Sequence, residues 1–278
     1  MKKILFLFFG IALLSFASCT AIDNWEAPDC TFKGTVIDSY TNQPILASQN
    51  EWQIRIWERS WKGQTGGATT NQDLRIKQDG TYQNTKLFPG TYDMLPYDGP
   101  FWVVRDTTKS VELKKGKTTV QDFTVTPFLQ VIDVRHEVGT HNFGTASDPV
   151  MRPSITFYCK VRAPLRQKDG VNLPNFRWVQ AFLSLTVFCG NNEKIDIPEY
   201  NSNTANAPGS RGRIEINRSW AAEQTANGLD PNSDTSKEYK IGPLPVHSGY
   251  TYYTRMGANV ATASNRFIYS PIEKITIP

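Results

Sequence analysis

After residue 19 the chain has no apolar run longer than a strand, and its short runs are cut at close intervals by Gly, Pro, Asn and Asp. Such punctuation leaves little room for long helices and favours many short strands. Residues 52–57 show the pattern most clearly. Their alternation puts Trp52, Ile54 and Ile56 on one face and Gln53, Arg55 and Trp57 on the other. Further strand signals fall at 31–38, 74–76, 81–82, 87–94, 111–113 and 119–125, with turns at 40–45, 78–80 and 114–117. Gly80 and Gly90 are expected to supply the backbone freedom of tight turns. Tyr82 and Tyr92 then enter a core from the starts of their strands. Thr126-Pro127 ends this series, because proline cannot donate to a ladder. A second series follows at 128–134, 154–161, 179–188, 213–216, 250–258 and 267–277. The expected fold class is all-β: two tandem β-sandwich domains, 30–126 and 127–278. Residues 201–212 and 227–238 read as polar surface loops, with one helical turn at 219–224 between them.

The N-terminus constrains location. Met1-Lys2-Lys3 precedes an apolar run from Ile4 to Leu14, then Ser15-Phe16-Ala17-Ser18-Cys19. A positive start, a short apolar stretch and small residues make an export leader. The run is too short for a spanning helix, which needs ~20 apolar residues. Residues 1–18 are therefore expected to be a signal peptide and 19–29 a polar tether. The leader's end resembles a bacterial lipobox, although Phe16 stands where Leu or Val is usual. That resemblance makes Cys19 the lipid anchor. Acyl chains would then hold the protein on the outer membrane, facing the cell surface.

The ordered set Gly34-Thr35-Val36-Ile37-Asp38, Thr41-Asn42-Gln43-Pro44-Ile45, Asp79-Gly80-Thr81-Tyr82 and Leu87-Phe88-Pro89-Gly90-Thr91-Tyr92 resembles the carboxypeptidase-regulatory-like, or transthyretin-like, sandwich. Residues 249–258, with Tyr252-Tyr253-Thr254-Arg255, look like the penultimate strand of a fibronectin type III-like (immunoglobulin-like) sandwich. Lipobox, first domain and second domain together resemble a Bacteroidetes family of two-domain lipoproteins of unknown function. The resemblance implies an accessory protein of an outer-membrane glycan-uptake system, and no enzymatic activity.

The residues themselves offer little catalytic chemistry. His136 and His141 are five apart, whereas a zinc-binding helix needs four; a polar loop is the expected state. No Cys-x-x-Cys pair, nucleophile elbow or phosphate loop is present. No cofactor and no metal site are expected. Cys30, Cys159 and Cys189 remain beside Cys19; a disulfide between Cys159 and Cys189 is one reading and two small buried residues the other. Of a formal charge of +4, Lys2 and Lys3 belong to the leader, so nucleic acid is not an expected partner.

The seven tryptophans carry the functional expectation. Sugar rings stack their apolar faces on indoles, and exposed indoles call for a ligand. Trp57, Trp61 and Trp102 are the expected carbohydrate-binding residues, for a polysaccharide or oligosaccharide; Trp52 and Trp178 are expected in the core. Two alternatives stand beside this: a module that docks on a transporter or partner lipoprotein, and a structural, fimbria-like subunit.

Overall fold

The computed structural model describes residues 27–60, 71–106, 108–195 and 212–278. Cys19 and Trp61 lie outside the described residues. The first eight strands are β1 (Cys30–Asp38), β2 (Gln53–Glu58), β3 (Asn71–Arg75), β4 (Thr81–Leu87), β5 (Gly90–Tyr97), β6 (Thr108–Leu113), β7 (Thr118–Val120) and β8 (Phe123–Val125). They form two facing sheets, β4-β1-β7 with β8 also on β1, and β3-β2-β5-β6. Trp52, Ile54 and Ile56 are fully buried between them, as the alternation of β2 requires. Tyr82 and Tyr92 join them, and each hydroxyl is satisfied: Tyr82 donates to the Gln121 carbonyl, Tyr92 to the Phe88 carbonyl. Gly80 has φ +81°, as its turn demands. Gly90 does not have a positive φ; it is needed for space, since an added Cβ would lie 2.5 Å from Ser60 Oγ.

The second sandwich contains β9 (Gln130–Asn142), β10 (Met151–Arg162), β11 (Gln167–Lys168), β12 (Val171–Asn172), β13 (Phe176–Ser184), β14 (Arg213–Arg218), β15 (Tyr239–Pro245), β16 (Thr251–Val260), β17 (Phe267–Tyr269) and β18 (Glu273–Thr276). One sheet is β15-β10-β9; the other is β14-β13-β16-β17, with β18 also on β16. Ile155, Phe157, Cys159 and Val161 alternate along β10 into the core. Helix α1 (Trp220–Ala226) is capped by Ser219, whose side chain accepts from the Ala222 N–H. The 227–238 loop after it is ordered by its own carbonyls. Trp220 Nε1 donates to Ser233 O at 2.8 Å, and Gln224 Nε2 to Thr235 O at 2.7 Å.

Three expectations need correction. Residues 136–141 are not a loop but part of β9, whose pairing with β10 runs to Asn142↔Met151. The strand read at 179–188 ends at Ser184, where Ser184 Oγ accepts from the Thr186 N–H and turns the chain. That change disposes of the disulfide. Cys159 and Cys189 are both free and buried, Cys159 between the sheets of the second sandwich and Cys189 in a separate cluster on that sandwich's outer face. Burial pushes both thiols up to about 12, so they are inert apolar filling.

That second cluster is where the two sandwiches meet. Phe182, Phe267 and Tyr269 face away from their own core and pack with Leu46 of the first sandwich. Glu51, 1% exposed, reaches into the same layer. Its carboxylate accepts from Ser48 N–H at 3.0 Å, Tyr269 O–H at 2.8 Å and Phe267 N–H at 3.2 Å. Buried Arg255 lies over the Tyr269 ring and donates to Ala47 O at 2.7 Å. The connecting segment is equally fixed: Trp102 N–H donates to Thr126 O, Phe128 N–H to Pro100 O, and the Trp102 and Phe128 rings are 5.1 Å apart.

Candidate functional site

The outer face of β3-β2-β5 carries an array of polar and aromatic side chains. Antiparallel register sets its residues in three rows: Asn71, Trp57 and Asp93; Asp73, Arg55 and Leu95; Arg75, Gln53 and Tyr97. The period of two that buries Ile54, Ile56 and Met94 forces these neighbours outward. Same-face rows are ~7 Å apart along a strand, so Trp57 and Tyr97 bracket a length of ~13 Å. That length suits an oligosaccharide better than one ring. Trp57 is half-buried and Tyr97 is exposed.

Hydrogen bonds fix the polar members. Arg55 grips Asp73 with two parallel bonds, 2.8 and 3.0 Å, and Gln53 Nε2 adds a third at 2.9 Å. Arg75 Nη1 donates to Gln53 Oε1, and the Arg55 guanidinium lies 3.8 Å from the Tyr97 ring centre. Asp93 accepts from Arg59 Nε and from the Ser110 N–H. Arg55 holds the Asp73 carboxyl below the usual carboxylate range, so the array keeps its charges at neutral pH. Gln53 is 7% exposed with both amide atoms bonded, so it buttresses the array; charged groups so held beside aromatic rings suit a polyhydroxylated ligand.

Of the three expected tryptophans, Trp57 lies on this face. Trp61 is outside the described residues. Trp102 is corrected: it is 4% exposed, because Phe128 from the next sandwich covers the loop that carries it. It lines a cleft of about 350 Å³ between the sandwiches with Arg105, Asp106, Lys168 and Asp169. Trp178 is not fully in the core; it is half-buried at the rim of β13. The reading from sequence missed Arg55, Asp73, Gln53 and Tyr97. Their outward positions followed from alternation, but their neighbours follow from register, which no short motif records.

Other features hold less. A cleft of about 560 Å³ beside β14, β15 and α1 has its one aromatic, Tyr239, turned inward with its hydroxyl on Glu223 at 2.9 Å. His136 Nδ1 lies 3.0 Å from Glu273 Oε2. Among the described residues no group of three or more His, Cys, Asp or Glu is placed to hold a metal.

Comparison with known proteins gives a family match over part of the chain and a likeness of fold. Residues 30–126 match the family described as "Protein of unknown function (DUF3823) N-terminal domain". The curated proteins gave no match. Among solved structures, a "putative carbohydrate binding protein" from Bacteroides uniformis ATCC 8492 is similar at 20% identity and a TM-score of 0.61, covering 90% of this chain and 100% of that one. A DUF3823 family protein from the same strain is similar at 24% identity and 0.61, with the same coverages. Another from Parabacteroides merdae ATCC 43184 gives 16% identity and 0.58, again over 90% and 100%. At these identities the likeness is one of fold.

Proposed function

We propose that this chain is a DUF3823-type, lipid-anchored surface protein that binds carbohydrate without transforming it, as an accessory of an outer-membrane glycan-uptake system. The observation that carries the reading is the Trp57–Arg55–Tyr97 face, where aromatic surfaces alternate with pre-ordered hydrogen-bonding groups. A structural relative named for carbohydrate binding supports it. The anchor rests on the leader and Cys19. Among the described residues no helix is long and apolar enough to cross a membrane.

The test is affinity electrophoresis of the chain from Thr20 against a broad glycan panel, with calorimetry on each hit. Trp57→Ala should weaken binding at least about tenfold, the cost of removing a central aromatic contact. Unchanged affinity would place the site elsewhere. For location, Cys19→Ala should move the protein from the membrane fraction to the soluble one; retention in the membrane would remove the anchor from the account.

One observation favours docking on a protein partner. Leu185, Val187 and Phe188 are each 43–51% exposed on the loop after β13. A panel without a single hit, with partner capture lost in Phe188→Asp, would transfer the function to that loop.

A further inference from the structure

The polar face does not stop at the edge of the first sandwich. Asp98 follows Tyr97 directly and binds Arg266 Nη2 of the second sandwich at 2.7 Å. Arg266 precedes Phe267, and Trp178 stacks on Phe267 with ring centres 6.1 Å apart. Two more guanidiniums address the same indole, Arg177 at 4.0 Å and Arg213 at 4.5 Å. The rim therefore sets two arginines against one half-buried tryptophan, with Arg266 one residue from the phenylalanine it stacks on.

Its charges do not cancel. Arg213 pairs with Glu215 at 2.5 Å and Arg266 with Asp98. Among the described residues Arg177 has no carboxylate within ion-pair distance. Hydrogen-bonding capacity is lopsided too: among the described residues, the buried donors Trp178 Nε1, Arg213 Nε and Arg266 Nε have no acceptor. A surplus of donors and positive charge beside an aromatic ring suits an acceptor-rich anion. Guanidinium forks match the planar oxygens of a carboxylate or sulfate better than an ammonium would.

We propose that the Trp178 rim extends the Trp57 face and reads negative charge, so that the glycan bound here carries carboxylate or sulfate groups received by Arg177, Arg213 and Arg266. This rests on the carbohydrate reading above and names its substrate class. Uronate and sulfate share the recognising chemistry, and matched polymers separate them.

The experiment uses the chain from Thr20 and two pairs of probes: polygalacturonate against its methyl ester, and dextran sulfate against dextran. Each pair keeps its backbone and changes its charge. At least one charged member should bind about tenfold or more tightly than its neutral twin, the scale of a charge-assisted hydrogen bond. The preference should shrink as salt rises. Arg177→Gln with Arg213→Gln should abolish the preference at an unchanged melting temperature. Arg177→Lys, which keeps charge and loses the fork, should fall between. Lys114→Gln with Lys117→Gln removes the same charge from a distant turn and should change nothing.

Equal binding within both pairs overturns the proposal, as does a preference that survives the arginine variants. Equal losses in the lysine control also overturn it, because the attraction is then one of bulk charge. If a neutral glycan binds through Trp57 and added charge brings no gain, only this extension fails. If no glycan of any charge binds, the carbohydrate reading fails with it.

Discussion

Glu51→Ala should destabilise the folded chain by about 3–5 kcal/mol, the range for removing one partner from a buried charged network. Three donors, Ser48 N–H, Phe267 N–H and Tyr269 O–H, converge on this one carboxylate at 1% exposure. Alanine leaves all three unsatisfied inside the junction and removes the charge that faces the buried Arg255 guanidinium, which keeps its bond to Ala47 O. Urea unfolding checks it, and a loss under ~1 kcal/mol would mean that the junction relaxes or admits water. The pH dependence has a definite sign. Burial raises the Glu51 carboxyl above its ordinary value, against the opposing pull of its three donors and Arg255. The folded state therefore holds this proton more tightly than the unfolded chain does. The Glu51 contribution is greatest below the ordinary carboxylate range, declines as pH rises through the raised folded value, and is level above it. Glu51→Gln should remove that decline and leave the remaining titrations in place.

Gly34→Ala should cost about 3 kcal/mol, the upper part of the usual range for overpacking. Gly34 sits mid-strand in β1, opposite Tyr82. A Cβ there would overlap the carbonyl oxygen of Gln121, with the Tyr82 hydroxyl also too close. Neither can retreat, since Tyr82 donates to that same carbonyl and the Gln121 N–H is tied to Lys33 O at 3.0 Å. Gly139→Ala is the matched control. It is also mid-strand, in β9, but nothing lies within 4 Å of its added Cβ. Thermal melting should separate the two variants clearly; equal melting temperatures would show that β1 shifts to make room.

These cases show what the sequence discloses and what it hides. Alternation in β2 told inside from outside correctly for Trp52, Ile54, Ile56 and Trp57, because a strand's period is local. The glycines and tyrosines that resemble the transthyretin-like pattern marked the first sandwich for the same reason. Trp102 was misread because what buries it, Phe128, belongs to the next sandwich and leaves no trace near residue 102. The strand was carried past Ser184 because Leu185–Phe188 is apolar enough for one. Nothing local shows that Gln78 of the first sandwich captures Val187 O and the Cys189 N–H. His136 to His141 looked like a loop because its polarity is that of an exposed strand, which only the pairing with β10 reveals. The rows of the candidate site fall in the same class: alternation faces them outward, and register joins them.

The parallel ladder of β1 with β7 and β8 has a mechanical side. The chain enters the first sandwich at the start of β1, and β8 leads directly into the second sandwich. Because β1 and β8 run the same way, a pull between an N-terminal anchorage and a load on the second sandwich draws them past each other lengthwise. The Val36↔Phe123, Ile37↔Thr124 and Asp38↔Val125 pairs are then strained together in shear, rather than opened one by one like a zipper. Asp38 also accepts from Gln130 Nε2, which ties the end of that ladder to the body it carries. For an anchored, polymer-binding chain of the kind proposed above, drag on the polymer would load this ladder in shear.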